Sequence, residues 1–225
     1  MFGKCRQEAP TNLPHNFSDA QNADTHSENT AKHCGCESPV KVEKREIRIQ
    51  NVVASASLKH PIDLDAIVKA FPHVKYQPKV FPGLAFRLKR PKTCTLIFNS
   101  GGMVCTGAKS EREAGKAIMK VVKELKAAGI IIIGKPEMQI TNIVASGSLG
   151  GPVDLEELAS EPAGGSLMYE PEQFPAAVYR MESPRVVFLI FSVGKIVCVG
   201  AKKEKDVYEA VENLRLRLEE RKVLV

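Results

Sequence analysis

The chain has 225 residues, of which 44% are hydrophobic, and a formal net charge of +6. That apolar content is ample for the core of one or two domains, and no apolar run approaches the roughly 18 residues of a membrane helix. The polar stretch after Met1-Phe-Gly-Lys-Cys-Arg lacks the pattern of a secretory signal, so an intracellular protein with reduced thiols at its six cysteines is expected.

Residues 1–45 show no hydrophobic periodicity, are rich in Asn, Ser, Thr, Gln and His, and balance six basic against six acidic side chains. This composition predicts a disordered polar tail. The tail carries His33-Cys34-Gly35-Cys36, with Cys5, His15 and His26 upstream. Cysteine and histidine are the usual zinc ligands, but no second pair stands at the spacing of a structural zinc site, so neither metal nor cofactor is expected.

From residue 46 onward the sequence says the same thing twice, in units 46–134 and 135–225. Tyr76–Lys109 aligns on Tyr169–Lys202 at a constant offset of 93 with 15 identities in 34 positions. Before that block the offset is 91, with Gln50-Asn51-Val-Val against Thr141-Asn142-Ile-Val, so two extra residues fall between Leu158 and Met168 around Gly164-Gly165. A period near 90 that occurs only twice is too long for a solenoid and marks a duplicated domain with a pseudo-twofold axis and paired sites.

Each unit presents the same predicted elements. Glu46–Leu58 reads as a strand, Asp63–Ala70 as a short helix, and three or four extended segments follow to Lys109. A long helix closes the unit, with Ser110 as its cap, Glu113 completing a capping box and Gly129 at its end. Its apolar stripe is Ala114, Ala117, Ile118, Val121, Val122 and Leu125; the second long helix offers Val207, Ala210, Val211, Leu214 and Leu218. Lys116, Lys120, Lys123 and Lys126 fall on the outer side of the first long helix, as a solvated face or a contact for regulators or DNA. Two helices per unit and many short strands predict an α+β fold, an antiparallel sheet with helices on one face.

The strands are apolar on both faces. In Thr93–Phe98 one alternating set is Cys94, Leu96, Phe98 and the other Thr93, Thr95, Ile97; Val186–Phe191 divides likewise. Four amphipathic helices cover one side only, so the other apolar face implies a partner, unless a second layer or a homodimer through the sheet hides it. The polar and aromatic residues bordering that strip come in mated pairs: Asn51 with Asn142, Arg87 with Arg180, Lys109 with Lys202, Phe81 with Phe174, and Phe98 with Phe191. Apolar contacts around two amide donors suit the floor of a DNA minor groove, where A·T pairs offer acceptors and no protruding amine. Charge agrees with this division of labour. Residues 46–134 carry 15 basic and 6 acidic side chains, residues 135–225 carry 11 and 14, so the first half suits phosphates and the second a basic protein.

Gln50-Asn-Val-Val-Ala, Pro91-Lys-Thr, Leu96-Ile-Phe, Met103-Val-Cys-Thr-Gly-Ala-Lys109, Tyr169-Glu-Pro-Glu-Gln-Phe-Pro175 and Gly194-Lys-Ile-Val together resemble the TATA-box-binding proteins, closest to the archaeal type, over residues 46–225. The resemblance implies a saddle whose concave sheet sits on promoter DNA and whose convex helices face regulators. It implies that Phe81, Phe98, Phe174 and Phe191 insert at the ends of the element, and that Asn51 and Asn142 donate to base acceptors at its centre. Val53, Val104, Val144, Val197, Leu96 and Leu189 then fill the groove floor, with Thr106 and Val199 as further base contacts. Arg87, Arg180, Lys109, Lys195 and Lys202 would meet phosphates. Glu170 and Glu172 match the stirrup that receives transcription factor B, through which RNA polymerase is recruited. Such a factor works in the cytoplasm or nucleoid of an archaeon, or in a eukaryotic nucleus; free of DNA, it could pair weakly through its sheet.

Two positions depart from the family pattern. Val199 stands where its mate is Thr106, which removes one central hydroxyl and is expected to relax base preference there. Gly102 stands where its mate is Lys195, which removes a phosphate contact. An enzyme is not expected: His15, His26 and His33 lie in the tail, His60 and His73 adjoin prolines, and no catalytic triad, phosphate loop or duplicated carboxylate pair is present. The alternatives left open are a related factor with other promoter preferences and a non-DNA module using the apolar sheet for a ligand or for dimerisation.

Overall fold

Among the described residues ten strands join in one antiparallel sheet, in the order β2-β3-β4-β5-β1-β6-β10-β9-β8-β7. The computed structural model describes residues 47–160 and 166–224; the tail with its His33/Cys34/Cys36 cluster, and Gly164-Gly165, lie outside the described residues. The first half runs β1 (Arg48–Ser57), α1 (Leu64–Ala70), β2 (Lys75–Gln77), β3 (Phe81–Leu88), β4 (Thr93–Phe98), β5 (Gly102–Ala108) and α2 (Glu111–Ala127). The second repeats that order as β6 (Glu137–Ser148), α3 (Leu155–Ser160), β7 (Ser166–Met168), β8 (Ala176–Met181), β9 (Val186–Phe191), β10 (Lys195–Ala201) and α4 (Glu204–Glu220).

Because the strand order reads alike from either end, the pseudo-twofold axis passes between β1 and β6. The pairing register carries the same symmetry: Asn51 faces Val144, and Val53 faces Asn142. The sheet is open and curved, an α+β saddle. Bulges supply part of the bend, one residue being inserted opposite Val53 near Gly107 and another opposite the Ile143–Val144 pair at Gly200. Gly107 and Gly200 have φ of 98° and 105°, a left-handed conformation that any side chain would strain. Both edge strands are three residues long, which limits edge-to-edge pairing with other chains.

Strict alternation places one set of strand residues in the core and the other on the open face. In β1, Val52, Ala54 and Ala56 are buried, and in β9 Val186, Phe188 and Ile190 are. They pack against the buried stripes of α2 and α4, which are the ones expected from helical spacing. Phe86 and Phe188, each fully buried, anchor the two halves, and truncating either to alanine would cost about 3–5 kcal/mol.

Local signals explain most helix ends. Asp63 caps α1, its Oδ1 accepting from the N–H groups of Asp65 and Ala66 at 2.9 and 3.1 Å. The Ser110 hydroxyl accepts from Glu113 N–H at 3.1 Å, but the Glu113 carboxylate reaches back to Lys109 N–H and not to the cap residue, so the expected capping box is displaced by one residue. At the other end Gly129, with φ of 83°, lets its own N–H reach Lys126 C=O and that of Ile130 reach Leu125 C=O, a Schellman closure. The start of α4 is different: Lys203 occupies the cap and makes no side-chain cap bond.

Candidate nucleic-acid interface

The face turned away from the helices is an uncovered apolar strip with polar groups at its centre. Leu96 on β4 lies opposite Val104 on β5, and Leu189 on β9 lies opposite Val197 on β10, giving two symmetry-related apolar pairs. Val53, Val144 and Val199 continue the strip across the central strands, every one of these residues being half-buried. Among the described residues no helix packs on this side, and an apolar surface left open in this way is a site for a partner.

At the centre the asparagine side chains are held in a defined orientation. The Gly107 N–H donates to Asn51 Oδ1 at 2.7 Å, and the Gly200 N–H donates to Asn142 Oδ1 at 2.9 Å. An N–H can only donate, so these bonds fix which end of each amide is oxygen and leave the NH2 groups as the donors presented by the sheet. The bulge glycines are therefore part of the site, although sequence reasoning singled them out only as members of the repeated Gly-Ala-Lys; their recurrence at the offset of 93 was the available signal. The halves then differ. Thr106 Oγ1 lies 3.2 Å from Asn51 Nδ2 and 3.3 Å from Asn51 Oδ1, whereas Val199 gives Asn142 no such neighbour.

Two aromatic pairs flank the strip towards opposite ends of the sheet. The rings of Phe81 and Phe98 meet edge to face with centroids 5.8 Å apart, and those of Phe174 and Phe191 at 6.3 Å. Phe81 and Phe174 are each 42% exposed, unusual for phenylalanine. Gly83 makes the tighter pair possible: a Cβ there would come within 2.5 Å of the Phe81 ring, and the corresponding residue of the second half is Ala176.

Basic side chains border the face. Arg87, Arg180, Lys109, Lys195 and Lys202 are all exposed, and Lys109 Nζ also donates to the Gln50 C=O at 2.6 Å. Two mated clefts open beside the strip. One of about 480 Å³ is lined by Arg87, Lys89 and Lys92 with Cys94 and Thr106; the other, of about 880 Å³, is lined by Arg180, Arg185 and Lys202 with Val199. Lys92 and Arg185 were missed from sequence, although they too are a basic pair at the repeat offset. Glu182 and Asp206 join the second cleft, so the first is the more uniformly cationic. Gly102 leaves the first half without a counterpart to Lys195.

Glu170 and Glu172 are exposed on the turn before β8, which is held by Glu170 C=O accepting from the N–H groups of Gln173 and Phe174 at 3.0 and 2.9 Å. The equivalent turn of the first half carries Gln77 and Lys79, so the acidity belongs to one end only.

The three strand cysteines divide by face. Cys105 and Cys198 lie in the core, where burial raises both thiol pKa values, that of Cys198 to about 12; the nearby Thr95 and Thr93 hydroxyls oppose the rise at Cys105. Cys94 is half-buried on the open face. Among the described residues no cluster could hold a metal ion, and no helix is long and apolar enough to cross a membrane.

Comparison with known proteins bears on the whole of this arrangement. A family model described as "Transcription factor TFIID (or TATA-binding protein, TBP)" matches residues 46–128 and 137–220. A TATA-box-binding protein of Pyrodictium occultum is 50% identical over 175 residues, covering 78% of this chain and 87% of the relative. That of Pyrobaculum aerophilum is 51% identical over 179 residues, covering 79% and 88%. The solved structure of Methanococcus jannaschii TBP superposes with a TM-score of 0.71 at 46% identity, covering 78% of this chain and 99% of that one. With its duplicated sequence, open saddle sheet and family match across both halves, the chain belongs to the TATA-binding protein family.

Proposed function

We propose that the chain is a general transcription initiation factor that seats its concave sheet in the minor groove of a TATA box and bends the promoter. The observation that carries this reading is the pair of amides beside the pseudo-twofold axis, each with its oxygen held by a glycine N–H and each lying opposite a valine of the neighbouring central strand. Two fixed donors in an apolar setting match the N3 and O2 acceptors of A·T pairs, and they leave the exocyclic amine of guanine unaccommodated.

In this mechanism Val53, Val104, Val144, Val197, Leu96 and Leu189 cover the groove floor while Asn51 and Asn142 donate to base acceptors near the dyad. The exposed members of the ring pairs, Phe81 and Phe174, enter between base steps with Phe98 and Phe191 behind them, unstacking the ends of the element and kinking the duplex towards the major groove. Arg87, Arg180, Lys109, Lys195 and Lys202, joined by Lys92 and Arg185, neutralise phosphates along both borders and release their counterions. Glu170 and Glu172 then offer an acidic turn to the basic surface of transcription factor B, through which RNA polymerase is brought to the promoter.

Replacing A·T pairs by inosine·cytosine pairs tests the reading, because this preserves the minor-groove edge and changes the major-groove edge. Binding retained on the inosine duplex and lost on a guanine·cytosine duplex is the expected result. Binding lost on both would mean that the protein does not read the minor groove.

A further inference from the structure

The polar side chain that breaks the symmetry beside the central asparagines is Thr106, whose mate is Val199. We propose that this difference orients the protein on an A·T element interrupted by guanine: a guanine amine near the dyad is accepted under the first half and rejected under the second. The inference rests on the minor-groove reading above.

Under the second half, Asn142 Oδ1 is engaged by the Gly200 N–H, its NH2 group can only donate, and Val199 is apolar. Apart from the second lone pair of an amide oxygen already bonded to the Gly200 N–H, that half offers no acceptor, and a guanine amine placed there would lose its water without a hydroxyl to receive it. Under the first half, Gly107 fixes Asn51 in the same way, but the Thr106 hydroxyl lies within reach of both ends of the amide, 3.2 Å from Nδ2 and 3.3 Å from Oδ1. A hydroxyl can take either role. Accepting from Nδ2, it turns its own proton to an adenine or thymine acceptor; donating to Oδ1, it leaves lone pairs free for a guanine amine. The first half thus adapts and the second does not, the reverse of what a lost hydrogen bond at Val199 alone implies.

Equilibrium titration of three duplexes tests this: a palindromic A·T element, the same element with one pair beside the dyad replaced by G·C, and the same with both symmetric pairs replaced. The parent protein should lose about twofold on the first replacement, because one of two orientations is discarded. It should lose about tenfold more on the second, when a guanine must lie under Val199. Val199→Thr should abolish the second step, and Thr106→Val should move the tenfold loss to the first replacement. Both exchanges keep the side-chain shape at half-buried positions, and each variant's losses are read relative to its own affinity for the uninterrupted element. Equal steps in the parent, or steps that neither variant moves, would overturn the inference while leaving minor-groove binding intact. Failure of the parent to bind even the uninterrupted element would overturn the proposed function and this inference with it.

Discussion

Glu111 and Glu204 cap each other's helices across the pseudo-twofold axis. The Glu111 carboxylate accepts from the Glu204 N–H at 2.6 Å, and the Glu204 carboxylate accepts from the Glu111 N–H at 2.7 Å. Each is the first residue of its helix, so a carboxylate sits at both positive helix ends and the two repeats are tied by one reciprocal pair of bonds.

The two carboxylates are not equally important, and urea unfolding should show it. Helix α4 has no other side-chain cap, whereas α2 keeps Ser110, so Glu111→Ala should cost about 1–2 kcal/mol and Glu204→Ala about half as much. Equal losses would mean that the bonds contribute through something other than capping.

Thr95 should be improvable. Its hydroxyl is fully buried without a well-formed hydrogen bond, its polar neighbour being the Cys105 thiol, and the second half has Phe188 in its place. Thr95→Val removes an unsatisfied polar atom without changing shape and should raise stability by about 1 kcal/mol in the same assay. A loss would show that the contact to sulfur matters more than the geometry implies.

Thiol labelling should map the two faces. At neutral pH Cys94 should react with a maleimide and be protected by bound A·T-rich duplex, while Cys105 and Cys198 stay unmodified in the native state; peptide mapping separates these from the tail cysteines. The raised Cys198 pKa has a stability consequence. Between the ordinary thiol range and about 12 the unfolded chain loses that proton and the folded chain keeps it, so this contribution is present at neutral pH and declines as pH rises through that window.

Salt dependence tests the asymmetry of the borders. Gly102→Lys supplies the first half with the counterpart of Lys195 and should steepen the dependence of log affinity on log salt by about one unit. An unchanged slope would show that position 102 does not approach a phosphate.

Most of the fold was legible because duplication doubles every local signal. The α2 stripe from Ala114 to Leu125 and the alternation in Thr93–Phe98 follow from periods of 3.6 and 2, and each has a mate that confirms it; the cap at Ser110 is read from its own chemistry, since its mate Lys203 makes no side-chain cap bond. What escaped were relations between elements. Nothing local to Glu111 or Glu204 announces that they will meet, and a capping box looks the same in sequence whether the carboxylate reaches Ser110 or Lys109. Within the site, Asn51 and Asn142 stood out as polar residues in apolar strands, but the bulge that aims the N–H groups of Gly107 and Gly200 at them appears only once the strands are paired. The close approach of Gly83 to two rings is invisible for the same reason.

Bending of a duplex on the apolar face is measured most directly by end-to-end energy transfer on a labelled TATA duplex. The parent protein should bring the duplex ends closer at moderate salt, and Phe98→Ala and Phe191→Ala should each reduce both the transfer and the affinity. Unchanged transfer with the parent protein, or phenylalanine variants that behave like it, would mean that the sheet does not bend DNA by phenylalanine insertion.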